Sequence, residues 1–332
     1  MAKTALVILN PHAHSGQTPQ QMDTIRDTLS TRLKDALALK SIEWCETEHP
    51  GQGKELARDA VKKGCNYIFA GGGDGTINEV LNGIMEASVK LSPEKRPVMG
   101  VLPFGTSNDF FAALKTAESA RKLESPDALT LVLDVGHVMF DEVERYFCLT
   151  VGIGLFSWAN EQYLEASSVY GRRFAHIPAA IKTLTSYRFL PNVKISRNGK
   201  QSRARRILSV VVDNSPVIAG GTPLTPKARI DNGQFDVCII KPVSLLRLLW
   251  LVFQVSTKTH TRSQSVQLGR VREITITAKQ PLPIHVDGEL VPEIGSKARR
   301  MAVEIMPGAL RIVIPSLCEL PQAPAANLAA AS

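Results

Sequence analysis

The segment Phe69-Ala70-Gly71-Gly72-Gly73-Asp74-Gly75-Thr76-Ile77-Asn78-Glu79-Val80 constrains the fold more than any other. An apolar run, Tyr67–Ala70, stops at a glycine loop, and a stripe of Ile77, Val80, Leu81 and Ile84 at helical spacing follows at once. The same order recurs around it. Ala5–Leu9 reads as a strand, residues 20–38 as a helix with Ile25, Leu29, Leu33 and Leu37 four apart, Ile42–Cys45 as a strand and residues 53–63 as a helix. Val98–Leu102 is a further strand with another helical start behind it. This alternation predicts an α/β domain with a mainly parallel sheet covered by helices.

The pattern changes near Leu129–Val135. Strands then dominate: Tyr146–Val151, Val193–Ser196, Ile207–Val212, Phe235–Ile240, Glu273–Ala278, Ile284–Val286 and finally Leu310–Pro315. Arg197-Asn198-Gly199-Lys200 and Asp231-Asn232-Gly233 supply turn signals between them. A second, mostly antiparallel domain is expected, interrupted by helical segments near 171–188 and 243–256. The Pro/Ala-rich end, Pro321 to Ser332, reads as a disordered tail, and there are no internal repeats.

Glycines let a backbone approach a phosphate closely and adopt positive φ, and the N–H groups opening the next helix attract anions. A carboxylate among phosphates needs a cation between them, so Asp74 points to magnesium, directly or through water. The structural alternative is a tight turn with Asp74 as an N-cap. The loop is neither a Walker A sequence nor G-x-G-x-x-G. Leu102-Pro103-Phe104-Gly105-Thr106-Ser107-Asn108-Asp109-Phe110 and Asn10-Pro11-His12-Ala13-His14-Ser15-Gly16 are two further polar loops after strands. In a parallel sheet all three leave from one edge and share a crevice. His12 and His14 lack a third ligand and read as ordinary polar residues.

Composition excludes several classes. The chain is 44% apolar and 21% charged, as globular proteins are. No apolar run reaches the roughly 18–20 residues of a spanning helix. Leu6–Leu9 is shorter than a secretory core, so a cytoplasmic protein is expected. The five cysteines are scattered and read as free thiols. The net charge of +8 is uneven: no acid lies between Glu165 and Asp213, where ten Lys and Arg run from Arg172 to Arg206. Such a stretch attracts an anionic membrane face or a phosphate-bearing substrate, unless it is only a solvated surface. No nucleic-acid motif accompanies it, so nucleic acid is not an expected partner.

Taken together, these segments resemble a known family. They are Asn10-Pro11 with Ser15-Gly16, Gly72 through Gly83, Pro103 through Phe110, Asp134-Val135-Gly136, Val151-Gly152-Ile153-Gly154, Val286-Asp287-Gly288-Glu289 and Pro307-Gly308-Ala309-Leu310-Arg311. The chain resembles the diacylglycerol kinase catalytic-domain family, in its soluble bacterial lipid kinase branch related to sphingosine kinases. Asn78-Glu79-Val80 and Gly105–Asp109 favour lipid kinases over NAD kinases and phosphofructokinases, which share the Gly-Asp-Gly-Thr core.

The resemblance implies an α/β ATP-binding domain over residues 1–133, completed by about 308–318, and a β-sandwich lipid-substrate domain over 134–307. A tail over 319–332 and a site in the cleft between the domains are also implied. It implies ATP contacts from Asn10, Pro11, His12, Ala13, His14, Thr47, Gly72, Gly73, Asp74, Gly75, Thr76, Ile77, Asn78 and Thr106. Asp74, Asp109 and Asp134 would organise Mg2+ near the phosphates. The general base would be Asp287 or Glu289, with Asp74 holding that role in related sphingosine kinases. A structural magnesium site in the second domain would use Arg229, Asn232 and Gln234. There the chain departs from the family, because Asn232 stands where an aspartate is expected.

Phosphoryl transfer needs positioning, charge neutralisation and a carboxylate to take the acceptor hydroxyl's proton. Asp-Gly-Glu at 287–289 could equally be a plain hairpin turn. Ser244–Val255 is apolar nearly all round as a helix, with Arg247 and Gln254 on one narrow stripe, so it is either buried or lipid-facing. With the basic stretch it suggests peripheral contact with an anionic membrane. The expected activity is ATP-dependent phosphorylation of a membrane lipid hydroxyl, with diacylglycerol, phosphatidylglycerol or a sphingoid base as acceptor. The alternatives are a soluble-substrate kinase resembling NAD kinase and a non-catalytic nucleotide or lipid sensor. Nothing in the sequence names the lipid or the oligomeric state.

Overall fold

In the computed structural model Val7, Ile8 and Leu9 are fully buried at the end of the first strand, and a parallel sheet forms around them. Residues 2–13, 18–122, 128–141, 143–171, 174–186, 188–216, 221–290 and 298–321 are described. His14, Ser15, Gly16, Arg172, Arg173 and the tail from residue 322 lie outside them. The chain divides into two units, Met1–Leu131 with Leu310–Ser332, and Val132–Ala309.

The first unit alternates β1 (Lys3–Leu9), α1 (Pro19–Leu37), β2 (Leu39–Glu46), α2 (Gln52–Lys62), β3 (Tyr67–Gly72), α3 (Asp74–Ser88), β4 (Val98–Pro103) and α4 (Asp109–Lys122). The strands run parallel in the order β2-β1-β3-β4. Thr18 opens α1 through a capping box: its hydroxyl accepts the Gln21 N–H and the Gln21 side chain accepts the Thr18 N–H. Met22, Ile25, Leu29, Leu33 and Leu37 then form the buried stripe of α1. Each such side chain contributes about 1.5–3 kcal/mol on burial.

The second unit contains β5 (Thr130–Phe140), β6 (Val143–Phe147), β7 (Thr150–Gly154), α5 (Leu155–Tyr170), α6 (His176–Thr185), β8 (Leu190–Arg197), β9 (Lys200–Gln201), β10 (Arg205–Ile207), β11 (Ser209–Asp213) and β12 (Phe235–Ile240). It continues with α7 (Leu245–Ser256), β13 (Val266–Val271), β14 (Glu273–Thr277), β15 (Ile284–Val286), β16 (Glu289–Leu290) and β17 (Arg300–Val313). One antiparallel sheet runs β13-β12-β11-β7-β15-β16. In the other layer β14 lies between β8 and β17. Val210, Val212, Phe235 and Val237 of the first layer share one buried cluster with Val193, Ile195, Ile274 and Met301 of the second, which makes a β-sandwich. The strand β17 also serves the first unit, since Ile312 pairs in parallel with Met99 of β4. The final helix, α8, covers Pro315–Cys318.

The α/β and antiparallel β-sandwich classes are those expected. Three elements differ. The strand expected over Tyr146–Val151 is two strands, broken at Cys148–Leu149, because the N–H groups there turn to the Asp287 carboxylate. The helix expected near 171–188 is α6, His176–Thr185, while α5 before it, ended by Gly171 at φ 74, was not expected. The apolar helix at 243–256 forms, yet it buries only Leu248 and Leu251. All five cysteines are free.

Candidate active site

Strand register places the polar loops of the first unit on one edge. Leu9 pairs with Glu46 on one side and Gly71 on the other, and Gly72 pairs with Pro103. Asn10, Thr47, Gly73 and Phe104 therefore all leave from the carboxyl ends of the strands. Strand β1 has β2 on one side and β3 on the other, so the winding reverses between β1 and β3. Ligands of open α/β sheets bind at such a switch point. There the Asn10 N–H donates to Gly71 O at 2.8 Å, and Asn10 Nδ2 donates to Thr76 Oγ1 at 3.2 Å. Asn10 Oδ1 accepts the His12 N–H at 2.9 Å, and the Thr47 N–H donates to Leu9 O at 2.9 Å. Pro11–Ala13 form a short 3-10 turn.

The glycines serve close approach. A Cβ on Gly105 would lie 2.4 Å from Gly73 Cα, and one on Gly72 would lie 2.5 Å from Thr76 Oγ1. The Gly105 N–H donates to Gly72 O at 3.2 Å, so the two loops touch through their backbones. None of Gly71, Gly72, Gly73, Gly75 or Gly105 has a positive φ, which corrects the expectation of left-handed backbone here. Gly73 is the N-cap of α3 and gives no side-chain cap, so the first N–H groups of α3 face the loop edge as an anion seat.

Asp74 does not cap its own helix. Its Oδ2 accepts the Asp109 N–H and its Oδ1 the Phe110 N–H, both at 3.1 Å, so it caps α4 and clamps the two loops together. Burial pushes the Asp74 carboxyl above its ordinary value; the two N–H groups oppose this and the neighbouring Asp109 charge adds to it. Two accepted bonds leave about half of a carboxylate's lone-pair sites. Asn108 stands beside them at φ 50, with Nδ2 donating to Gly105 O at 2.7 Å and a buried Oδ1 that has no partner. Neighbouring carboxylates and an orphaned amide oxygen fit a magnesium ion held with phosphate and water, which needs only one or two protein carboxylates. Thr106 is exposed in the same loop. Among the described residues, no cluster of three or more His, Cys, Asp or Glu could hold a metal by itself.

The continuation Asn78–Gly83 has a packing role. The Glu79 carboxylate accepts the Gly51 and Gly53 N–H groups at 2.8 and 3.0 Å, capping α2. A Cβ on Gly83 would lie 2.3 Å from Lys54 O. These residues seat α3 against α2 and so fix the direction in which the N-terminus of α3 points.

In the second unit Asp287 and Gly288 form the two-residue turn between β15 and β16, with φ 47 and 81 and Val286 paired to Glu289. That is the hairpin alternative. The Asp287 carboxylate accepts the N–H groups of Cys148, Leu149 and Thr150 at 3.0, 2.9 and 2.9 Å. It is a structural anchor, whereas Glu289 is exposed. A buried polar chain that sequence reading missed lies behind it. Thr150 Oγ1 and Thr225 Oγ1 donate to Asp213 at 2.7 and 2.8 Å, and Asn214 Nδ2 donates to Asp134 O and Cys148 O at 3.1 Å each. The signal available was a polar triplet, Asp213-Asn214-Ser215, ending an apolar strand.

Asp134 is engaged within this unit. Its carboxylate accepts the Gly233 and Gly308 N–H groups at 2.6 and 2.9 Å, so it ties two loops together. At the expected structural magnesium site, the side-chain oxygens of residues 231 and 232 are already engaged. Asp231 is held by the Arg229 guanidinium at 2.9 and 3.1 Å, and Asn232 Oδ1 accepts the Gln234 N–H at 3.1 Å.

A diacylglycerol kinase catalytic domain matches residues 4–138, and a YegS C-terminal NAD kinase beta sandwich-like domain matches residues 149–314. A diacylglycerol kinase of Staphylococcus aureus (strain Newman) is 30% identical over 252 residues, covering 73% of this chain and 74% of its own length. Another, from S. aureus (strain bovine RF122 / ET3-1), is 28% identical over 298 residues and 87% of each chain. The crystal structure of a diacylglycerol kinase from Bacillus anthracis str. Sterne shares the fold, with a TM-score of 0.63 at 19% identity over 94% of this chain and 96% of that one. With a family domain matched in each half and the glycine loops assembled at one sheet edge, the chain belongs to the diacylglycerol kinase catalytic-domain family and is an enzyme of its lipid kinase class.

Proposed function

We propose that this protein transfers the γ-phosphate of ATP to a hydroxyl group of a membrane lipid. The observation that carries the nucleotide half is the clamp in which Asp74 caps α4 while Gly73 meets Gly105 beside the N-terminus of α3. In this reading the N–H groups at the start of α3 and the Thr76 and Thr106 hydroxyls hold the phosphates, and Asn10, Thr47 and Asn78 border the nucleotide. Asp74 and Asp109 would hold magnesium, which supplies charge neutralisation on the phosphates when bound. The lipid oxygen bonds to the γ-phosphorus, the bond to the ADP oxygen breaks, and a carboxylate takes the hydroxyl proton. Glu289 is the better base, because the oxygens of Asp287 already accept three N–H groups. Asp287 then positions the hairpin that carries Glu289.

Diacylglycerol is the first acceptor to test, since the relatives carry that name. Phosphatidylglycerol and sphingoid bases present a similar hydroxyl. The reading places the chain in the cytoplasm, in peripheral contact with an anionic leaflet. One observation favours a second reading: the sandwich is also NAD kinase-like, so NAD belongs in the panel. The test is incubation with ATP, magnesium and each of these acceptors, followed by separation of the phosphorylated product. A phosphorylated lipid supports the proposal. NADP as the product, or nucleotide binding with no transfer at all, overturns it.

A further inference from the structure

Helix α7 has an outward face that no ordinary surface helix presents. Leu246 is 80% exposed, and Leu245, Leu249, Trp250, Val252 and Phe253 are exposed with it. With about 3.6 residues per turn these six positions fall on one side, roughly 160° wide. The opposite side, Leu248 and Leu251, packs on Val211, Cys238 and Ile240 of the sheet. Arg247 and Gln254 fall at the boundary. Trp250 and Phe253 stack on the exposed face, with ring centroids 5.2 Å apart. A contiguous apolar patch of this kind marks an interaction surface.

Charge identifies the occupant. No acidic residue lies between Asp236 and Glu273, and the exposed Lys241, Arg247, Lys258 and Arg262 lie in α7 or close to its two ends. The second unit holds 23 Lys and Arg against 14 Asp and Glu, a net of +9, while the first holds 16 against 17. The whole positive excess is on the unit that exposes α7. The helix has 12 residues, and no helix among those described is long and apolar enough to cross a membrane. A short helix, apolar on its outer face, aromatic at its centre and basic at both ends, has the chemistry of one that lies in the plane of an anionic bilayer.

We propose that α7 is a membrane-insertion helix, its outward face entering the headgroup–acyl boundary of an anionic bilayer while the flanking Lys and Arg stay at the lipid phosphates. The proposal rests on the lipid kinase reading only for why the chain visits a membrane; insertion itself needs no catalysis.

The test uses the full chain with vesicles of phosphatidylglycerol and phosphatidylcholine. Of its three tryptophans, Trp158 is buried and Trp44 donates to Ser30, so Trp250 is the reporter. The expected result is a blue shift of its emission, quenched by lipids brominated on the acyl chain, and co-flotation with the anionic vesicles. Leu246→Glu with Phe253→Glu changes two exposed side chains, so the melting temperature should hold while flotation falls at least tenfold. Transfer to a short-chain lipid below its micellar concentration should be unchanged. Equal flotation of the variant overturns the proposal, as does a wild-type dimer that the two substitutions dissociate, because a second copy would then be what covers α7. Insertion without transfer to any lipid would sink the functional reading and leave this one standing. Transfer without insertion would do the reverse.

Discussion

Three aspartates in this protein, Asp74, Asp134 and Asp287, spend their oxygens on peptide N–H groups. Asp287→Asn replaces an acceptor of three N–H groups by a side chain with one acceptor oxygen. Leaving buried donors unpaired costs about 1–3 kcal/mol, so a clear fall in melting temperature is expected. Glu289→Gln alters an exposed side chain, and turnover should drop by about 10²–10⁴-fold, the usual worth of a general base. If Glu289→Gln turns over like wild type, Glu289 is not the base. At Gly105 an added Cβ meets Gly73 Cα at 2.4 Å, backbone against backbone. Gly105→Ala should cost about 1–3 kcal/mol of stability and weaken nucleotide binding, as a calorimetric titration would show. The buried Asp213 sets a pH dependence. Burial pushes Asp213 from 3.8 up to about 7, so between those values the folded chain holds a proton that the unfolded chain has released. Stability should therefore fall as pH rises from about 4 to about 7, and Asp213→Asn should flatten that slope in a melting series. The sequence made the glycines legible as residues that matter but not their reason. Close approach between two loops is a tertiary fact, and positive φ was the local explanation available.

At the scale of elements, periodicity was a sound guide wherever an apolar stripe ran uninterrupted, as in α1 with its buried residues at four-residue spacing. It failed where a distant side chain decided the outcome. The break between β6 and β7 is made by Asp287, more than 130 residues away, and nothing local announces it. Helix α5, over Leu155–Tyr170, was missed as a whole, although Gly171 marks its end. The loop over 229–234 shows the same limit. Its sequence, with Asn232 in place of an acid, left a magnesium site open, but the Arg229–Asp231 pair is visible only in three dimensions. The nucleotide-free protein should accordingly melt at the same temperature in EDTA and in millimolar magnesium. A rise with magnesium in the wild type would show that the loop binds the metal after all.

The charge of the whole molecule is divided sharply, with a net of +9 on Val132–Ala309 and none of the excess on the remainder. Part of the basic stretch that drew notice in the sequence is engaged by the fold: Lys182 pairs with Glu165, and Arg188 and Arg206 lie over Trp158 and Phe189. The second acid-free stretch, around α7, was equally visible in the sequence, and its Lys241, Arg247, Lys258 and Arg262 are exposed. Vesicle binding should weaken steeply between low and physiological salt, because exposed charges are screened over about 8–10 Å there. Equal binding to neutral and anionic vesicles would remove charge from the account. Fold class and family were legible because glycine loops and strand alternation are local patterns. The acceptor lipid was not, because acyl recognition depends on which apolar side chains a fold leaves uncovered. The central claim is most directly tested by incubating the protein with diacylglycerol-containing anionic vesicles and ATP labelled at either the α- or the γ-phosphate, then counting the organic phase. Label entering the lipid from the γ-position only is the predicted result; label that stays in the aqueous phase from both positions would contradict it.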